Sequence, residues 1–383
     1  MGYAERKEQS PQGNVPNLRF PEFSGEWEHV ALSEIAARVT RKNKDNASKL
    51  PLTISAQYGL VDQISFFNKV VASADMSNYY LLRQGEFAYN KSYSSDYPWG
   101  AIKRLDRYPQ GALSSLYICF AVNDKVDSDF AVHYFESSKW HREVSNVAGE
   151  GARNHGLLNI AVGDFFDTKH RLPSSKEEQK KIAALLNLIT ERIATQIKII
   201  EKLESLIKGL CQKLTQQGDP NTILNNCLDC YSSTLQESSV LESGDFPVYG
   251  ATGICGYTNT PEVIGDSILI IKDGASVGVT YYASGKYSAI GTLNRLAAKS
   301  GYSLRYIYYC LKVFNFAPYR TGLAIPHIYF RDYGKAQIWC PPIEEQNRIA
   351  SALEKVEQKI ATEKSLLEQL YSQKRFLLQA MFI

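Results

Sequence analysis

No stretch of this 383-residue chain holds the 18 or more consecutive apolar residues that a membrane-spanning helix needs. Met1 to Pro16 is polar, carries Pro11, Gly13 and Pro16, and lacks the apolar core of a signal peptide. It is expected to be a flexible lead-in. Cysteine is sparse: Cys119, Cys211, Cys227, Cys230, Cys255, Cys310 and Cys340 are scattered and odd in number. With no secretion signal, that suits reduced thiols in a cytoplasm better than a disulfide framework. Cys227 and Cys230 have the spacing of half a zinc site, but no second such pair completes it, so no metal is expected. Charge of one sign is missing too. With 43 basic against 40 acidic residues the net charge is +3, too little to point at nucleic acid unaided. It still permits a basic face offset by acidic surface elsewhere.

Several catalytic signatures are also absent. There is no G-x-x-x-x-G-K-[ST] loop, so use of ATP by this chain is not expected. Trp339-Cys-Pro-Pro342 is only superficially like the Asn/Asp-Pro-Pro-aromatic motif of amino-methyltransferases, because the leading polar residue and the following aromatic are missing. No Asp…Glu-x-Lys nuclease cluster stands in a strand context. The chain reads as non-catalytic. What it has is ordinary globular composition, 44% hydrophobic and 22% charged, and length enough for two domains.

It also repeats itself. Glu177–Thr215 and Glu344–Phe382 align without gaps at an offset of 167 residues, with 14 identities in 39 positions. A period this long points to duplicated domains rather than a short-repeat solenoid. Both segments read as long helices with a 4-3 apolar stripe. In the first it is Ile182, Leu186, Ile189, Ile193, Ile200, Leu203, Ile207, Leu210 and Leu214, broken by Gln196. In the second it is Ile349, Leu353, Val356, Ile360, Leu367, Leu370, Leu377 and Met381, broken by Glu363 and Lys374. Gln196 and Glu363 occupy the same heptad position, as register-setting polar residues do. Ser175 and Glu178 fit a capping box at the first start; Pro341-Pro342 and Glu344-Glu345 suit the second. Stripes matched in length and phase predict that the two helices pair with each other, and an antiparallel pair would set the globular units at opposite ends.

The expected organisation is therefore a lead (1–16), a first head (17–172), a first helix (173–217), a second head (218–340) and a second helix (341–383). The fold class is α+β. The heads hold short β-like runs such as Leu116–Val122 and Ser267–Ile271 between Gly-rich turns. They have diverged far more than the helices, which suggests two ligands read by one framework.

Four features together resemble a known family: Arg19-Phe-Pro-Glu-Phe-Ser-Gly-Glu-Trp27, Phe246-Pro-Val-Tyr-Gly-Ala-Thr-Gly253, Ile271-Lys-Asp-Gly-Ala-Ser-Val-Gly278, and Ile325-Pro-His327 with the proline-then-Glu-Glu-Gln entry to each helix. In this order they resemble the specificity subunit of type I restriction-modification enzymes, over nearly the whole chain. The resemblance implies two α/β target-recognition domains, each reading half of a split, asymmetric site in double-stranded DNA. It implies an antiparallel coiled coil with pseudo-two-fold symmetry that sets the gap between half-sites and docks two methyltransferase subunits. Restriction-translocase subunits join the larger assembly, and S-adenosylmethionine, ATP and Mg belong to the partners, with no cofactor on this chain.

Candidate DNA contacts come from the residues themselves. Asn90, Lys91, Ser92, Tyr93 and Ser94 form a polar, aromatic-bearing loop whose Asn suits adenine and whose Lys and Ser suit guanine or phosphate. The same loop could be an ordinary solvated hairpin. Arg153, Asn154 and His155 lie between glycines that would let backbone approach phosphate, or simply turn the chain. In the second head the candidates are Thr252, Lys272, Ser276, Thr292, Asn294, Arg295, Arg320, Thr321 and His327, the last of which suits a structural role as well. A protein-binding adaptor with two β-rich heads stays open as the alternative.

Overall fold

The computed structural model describes residues 13–149 and 156–383. The chain divides into two compact units. The first runs up to Thr195 and takes in Leu367–Ile383; the second is Gln196–Leu366.

The first unit begins with β1 (Glu28–Ala31), α1 (Leu32–Ile35), β2 (Ala36–Arg38), β3 (Pro51–Ser55), β4 (Gly59–Asp62) and α2 (Gln63–Phe67). Strands β5 (Tyr80–Arg83), β6 (Phe87–Asn90), β7 (Ala101–Arg104), β8 (Gln110–Leu113) and β9 (Ile118–Val122) follow. The unit closes with α3 (Ser128–Glu136), α4 (His141–Val147), α5 (Val162–Asp167), β10 (Lys169–Leu172) and the first half of α6 (Lys176–Thr215). Its strands make an antiparallel sheet β2-β9-β6-β7, a sheet β4-β3-β8-β5 with β3 and β8 parallel, and a ribbon of β1 with β10. Strand β6 is buried on both faces, and its alternation explains how. Phe87 stacks on Phe120 at 5.4 Å and Tyr89 on Phe165 at 4.9 Å, while Ala88 points to a separate cluster with Leu82, Leu113 and Cys119.

The second unit takes the rest of α6, then β11 (Thr222–Ile223), α7 (Leu224–Cys227), β12 (Leu228–Ser232), β13 (Phe246–Gly250), β14 (Gly253–Thr258) and β15 (Val263–Ile264). It continues through β16 (Ser267–Ile271), β17 (Thr280–Ala283), β18 (Lys286–Ala289), β19 (Leu293–Ala298), α8 (Leu304–Lys312), α9 (Phe330–Tyr333), β20 (Gln337–Ile338) and the first part of α10 (Ile343–Ala380). Its sheets are β12-β19-β16-β17, β14-β13-β18-β15 and β11-β20. Strand for strand this is the first unit again, down to the parallel pair, here β13 with β18. The heads that scarcely align in sequence share one topology. Side chains have been exchanged while the strand order and the two-sided burial of the central strand were kept: Ile268 and Ile270 join one cluster, Leu269 and Ile271 the other.

The stripe residues do line a seam. Ile182, Leu186, Ile189, Ile193, Ile200, Ile207, Ile349, Leu353, Ile360, Leu370 and Leu377 are buried, and Leu203, Leu210, Val356 and Leu367 half-buried. In the second unit Leu203, Ile207 and Leu210 of α6 share a cluster with Ile349, Leu353, Val356 and Ile360 of α10. The two polar breaks meet there: the Gln196 amide donates to the Glu363 backbone carbonyl at 3.1 Å and to its carboxylate. Residues after Gln196 on α6 thus cluster with residues before Glu363 on α10, so the two helices run antiparallel here, and the Gln196–Glu363 contact marks the centre of the repeat. Lys364 and Glu204 add a bridge of 2.6 Å across the same pair. In the first unit Trp27 bonds to Glu178 at the start of α6 and lies edge-on to Phe382, just past the end of α10. Lys374, the other break in the stripe, pairs with Glu136 of α3 at 2.9 Å.

One helix start differs from expectation. Ser175 accepts from the Glu178 backbone N–H at 3.3 Å, but the Glu178 side chain does not return to the cap. It is buried, held by Arg19 at 2.7 and 2.8 Å and by the Trp27 indole N–H at 3.3 Å. A fully desolvated carboxylate is better satisfied by a bidentate guanidinium than by one backbone donor, so only half of the capping box forms. Among the described residues no helix is long and apolar enough to cross a membrane.

Candidate nucleic-acid interface

The Glu-Glu-Gln entry to each long helix fastens a head to its helix. In the first unit the Gln179 side chain accepts from the Asp127 N–H (2.7 Å) and donates to Pro173 O (2.9 Å) and Lys125 O (3.3 Å). Asp127 in turn caps α3 by accepting from Asp129 N and Phe130 N. In the second unit Gln346 accepts from the Ser303 N–H (2.9 Å), at the start of α8, and donates to Pro341 O (2.8 Å). An amide is the one short side chain that donates and accepts in both places at once.

On that frame, the loops singled out by composition fall in equivalent places. Lys91 follows β6 and Lys272 follows β16. The Lys91 carbonyl accepts from Leu158 N at 2.9 Å, and the Lys272 carbonyl accepts from Ile328 N at 2.9 Å. Two residues on, Tyr93 N donates to Gly156 O (3.0 Å) and Gly274 N donates to Pro326 O (2.9 Å). Each head thus brings the loop after its central strand against the segment that leads into its last short helix. Those two segments are where Arg153–His155 and Arg320–His327 occur in the sequence. Arg153, Asn154 and His155 themselves lie outside the described residues.

In the first head Asn90 ends β6 and its side-chain oxygen accepts from Ser92 N at 3.0 Å, which shapes the turn. Lys91 is half-buried and donates to Ile160 O at 3.3 Å, while Ser92, Tyr93 and Ser94 are exposed. In the second head His327 pairs with Asp273 at 2.7 Å, and Thr321 and His327 exchange backbone hydrogen bonds of 2.9 and 2.8 Å that close a hairpin. Ser276 and Arg320 are exposed, and Arg320 is steadied by Val277 O at 3.1 Å. Lys272 N donates to Thr292 O at 3.0 Å, which brings Thr292 beside this loop. The structure thereby gathers Lys272, Ser276, Thr292, Arg320, Thr321 and His327.

Three candidates are placed otherwise. Asn294 is buried on β19, where its oxygen accepts from Ser232 Oγ at 3.0 Å. Arg295 lies over the Tyr231 ring at 4.1 Å. Thr252 is exposed at the β13–β14 turn, on the other sheet. Sequence reasoning missed a cluster of cations on the first head. Lys139, Arg142, Lys169 and Arg171 line a cavity of about 230 Å³ together with His29 and one carboxylate, Glu143, and none of the four is ion-paired among the described residues. Drawn from α4, β10 and the loop between α3 and α4, they make no run in the sequence. Among the described residues no group of three or more His, Cys, Asp or Glu side chains is placed to hold a metal.

Comparison with known proteins shows what this scaffold is similar to. Residues 232–372 match the family model described as the type I restriction modification DNA specificity domain. The match takes in most of the second head and of the helix that follows it. The fold agrees over far more of the chain. An S subunit of a type I restriction-modification system from M. genitalium superposes with a TM-score of 0.61 at 18% identity, covering 96% of this chain and 99% of that one. A structure solved for the complex assembly and conformational transition of a type I restriction-modification system gives a TM-score of 0.56 at 17% identity, covering 92% and 96%. A protein of Haemophilus influenzae, named as a type I restriction enzyme specificity subunit, is 26% identical over 155 residues, or 40% of this chain and 39% of that one. The aligned stretch thus spans about two fifths of that relative's length. The family resemblance carried by the motifs holds, and the S-subunit fold explains the duplicated heads.

Proposed function

We propose that this chain is the DNA-specificity subunit of a type I restriction-modification complex. Each head reads one half of a bipartite, asymmetric site in double-stranded DNA, and the paired helices carry two methyltransferase subunits and, through them, the restriction-translocase subunits. The observation that carries this reading is the equivalence of the two loop pairs. One topology presents two unlike sets of side chains at the same place, Asn90–Ser94 in the first head and Lys272–Ser276 with Arg320–His327 in the second. That arrangement suits recognition of two different half-sites by one framework. The chain itself is non-catalytic in this proposal; S-adenosylmethionine, ATP and Mg are used by its partners.

Methylome sequencing of cells with and without the chain tests it directly, because a split motif should vanish with the gene. The assembled complex should then bind a duplex carrying that motif with a steep fall in log affinity against log salt, as phosphate neutralisation requires. Flat salt dependence with no preference for any duplex would sink the proposal. The adaptor alternative draws on one feature, an exposed apolar surface on the first head. There Tyr58 lies edge-on to Phe66, Phe66 to Phe67, and Val70 and Val71 are exposed. A surface of that kind suits contact with protein, and the same salt series separates the two readings.

A further inference from the structure

The hairpin closed by Thr321 and His327 carries at its tip Gly322-Leu-Ala-Ile325, and the tip is apolar and open. Leu323 is fully exposed and Ile325 more than half exposed. Two branched apolar side chains in water at one loop tip mark a contact surface rather than a packing accident. The stem beneath them is fastened on three sides: the Thr321–His327 pair, the His327 side chain on Asp273, and Gly274 N on Pro326 O. Gly322 has a φ of +86°, and a Cβ there would fall 2.3 Å from Ile325 O, so the tight turn that projects Leu323 depends on glycine. The surroundings are cationic. Arg320 is exposed on one side of the tip, and on the other Arg331 lies over the exposed Tyr329 ring at 4.8 Å. The nearby carboxylates are already engaged, Asp273 by His327 and Lys272, and Asp332 by Arg331. A rigid apolar tip flanked by the exposed guanidiniums of Arg320 and Arg331 fits a polyanion with apolar features inside its groove, which describes duplex DNA.

We propose that Leu323 and Ile325 are specificity-determining residues of the second head. They enter a DNA groove and make apolar contact with base edges, favouring the C5-methyl group of thymine, while Arg320 holds the flanking phosphate. This rests on the DNA reading above and adds to it a recognition mode that does not use hydrogen bonds.

The test uses the assembled methyltransferase complex and the duplex whose motif methylome sequencing has defined. Each thymine of both half-sites is replaced in turn by deoxyuridine, which removes only the methyl group. The wild-type complex should lose about fourfold in affinity at one or two positions of one half-site, the value of a single buried methyl. L323A/I325A should bind the thymine duplex roughly tenfold more weakly and no longer distinguish thymine from deoxyuridine. Because both residues are exposed, the variant should melt with the wild type. A half-site without thymine, a methyl dependence unchanged in the variant, or unchanged affinity would overturn the proposal. So would loss of methyltransferase co-purification with DNA discrimination intact, which would assign the tip to a protein contact. A wild-type complex that prefers no duplex would instead refute the DNA reading itself.

Discussion

Replacing Gln179 with Leu should separate the first head from its helix energetically without changing the shape of the site. The residue is 2% exposed, and Leu is close to it in size. The change strands the Asp127 N–H and the Pro173 carbonyl, bonded to Gln179 at 2.7 and 2.9 Å. Each buried group left without a partner costs about 1–3 kcal/mol, and the added apolar burial returns about 1 kcal/mol, for a net loss of about 1–5 kcal/mol. With a urea slope of about 2 kcal/mol/M, the unfolding midpoint should fall by roughly 0.5–2.5 M. The first unit can be followed by itself, because Trp27, Trp99 and Trp140 lie in it and only Trp339 lies in the second. In a Trp339→Phe background, tryptophan fluorescence therefore reports that unit alone. Gln346→Leu, followed through Trp339 in a chain that keeps it, should show a comparable loss, since Gln346 makes the matching pair of bonds. A shift under about 0.5 kcal/mol in both variants, the size of an ordinary surface change, would refute the idea that this glutamine is the fastening point.

Other expectations follow from the seam and the candidate interface. Ile193→Asp puts an unpaired charge into a buried stripe position and should cost at least about 3 kcal/mol; an intact assembled complex on size-exclusion chromatography would contradict the pairing. The Glu363 carboxyl is held below its ordinary value of 4.5 by Lys359 and Gln196. The stability it contributes is therefore present above that value and lost as pH falls through the lowered one. Glu363→Gln should flatten the acid limb of the stability profile, and an unaltered limb would dismiss the contribution. Burial pushes Glu136 up, but His133, Lys374 and Lys103 outweigh it and hold the carboxyl at about 2. Its contribution is thus complete above about 4.5 and disappears toward pH 2, so Lys374→Leu should move the acid-unfolding midpoint of the first unit to higher pH. No movement would show that Lys374 does not stabilise the charge. Arg320→Ala should weaken DNA binding by the complex while methyltransferase co-purification is kept; unchanged affinity would remove Arg320 from the interface.

The long helices were legible in the sequence because their information is local and periodic. A 4-3 stripe, a proline-led start and 14 matches in 39 positions survive in one dimension, and so does the shared heptad position of Gln196 and Glu363, though their contact is seen only in the fold. The loops after β6 and β16 were also visible, as polar, glycine-bearing interruptions of apolar runs. What sequence did not reveal was that the two loops are the same loop. Their equivalence lives in backbone bonds, Lys91 O with Leu158 N and Lys272 O with Ile328 N, which join segments 67 and 56 residues apart and leave no mark on side-chain identity. The fate of individual residues was hidden for the same reason. Glu178 reads as half of a capping box until folding brings Arg19 to it, and Asn294 reads as a base reader until β19 buries it against Ser232. Sequence by itself determined the duplication and the helical spine, since periodic burial depends on neighbours along the chain. Only the tertiary structure decided which polar side chains remain free to meet a ligand, because that depends on partners distant in sequence that folding alone brings within bonding range.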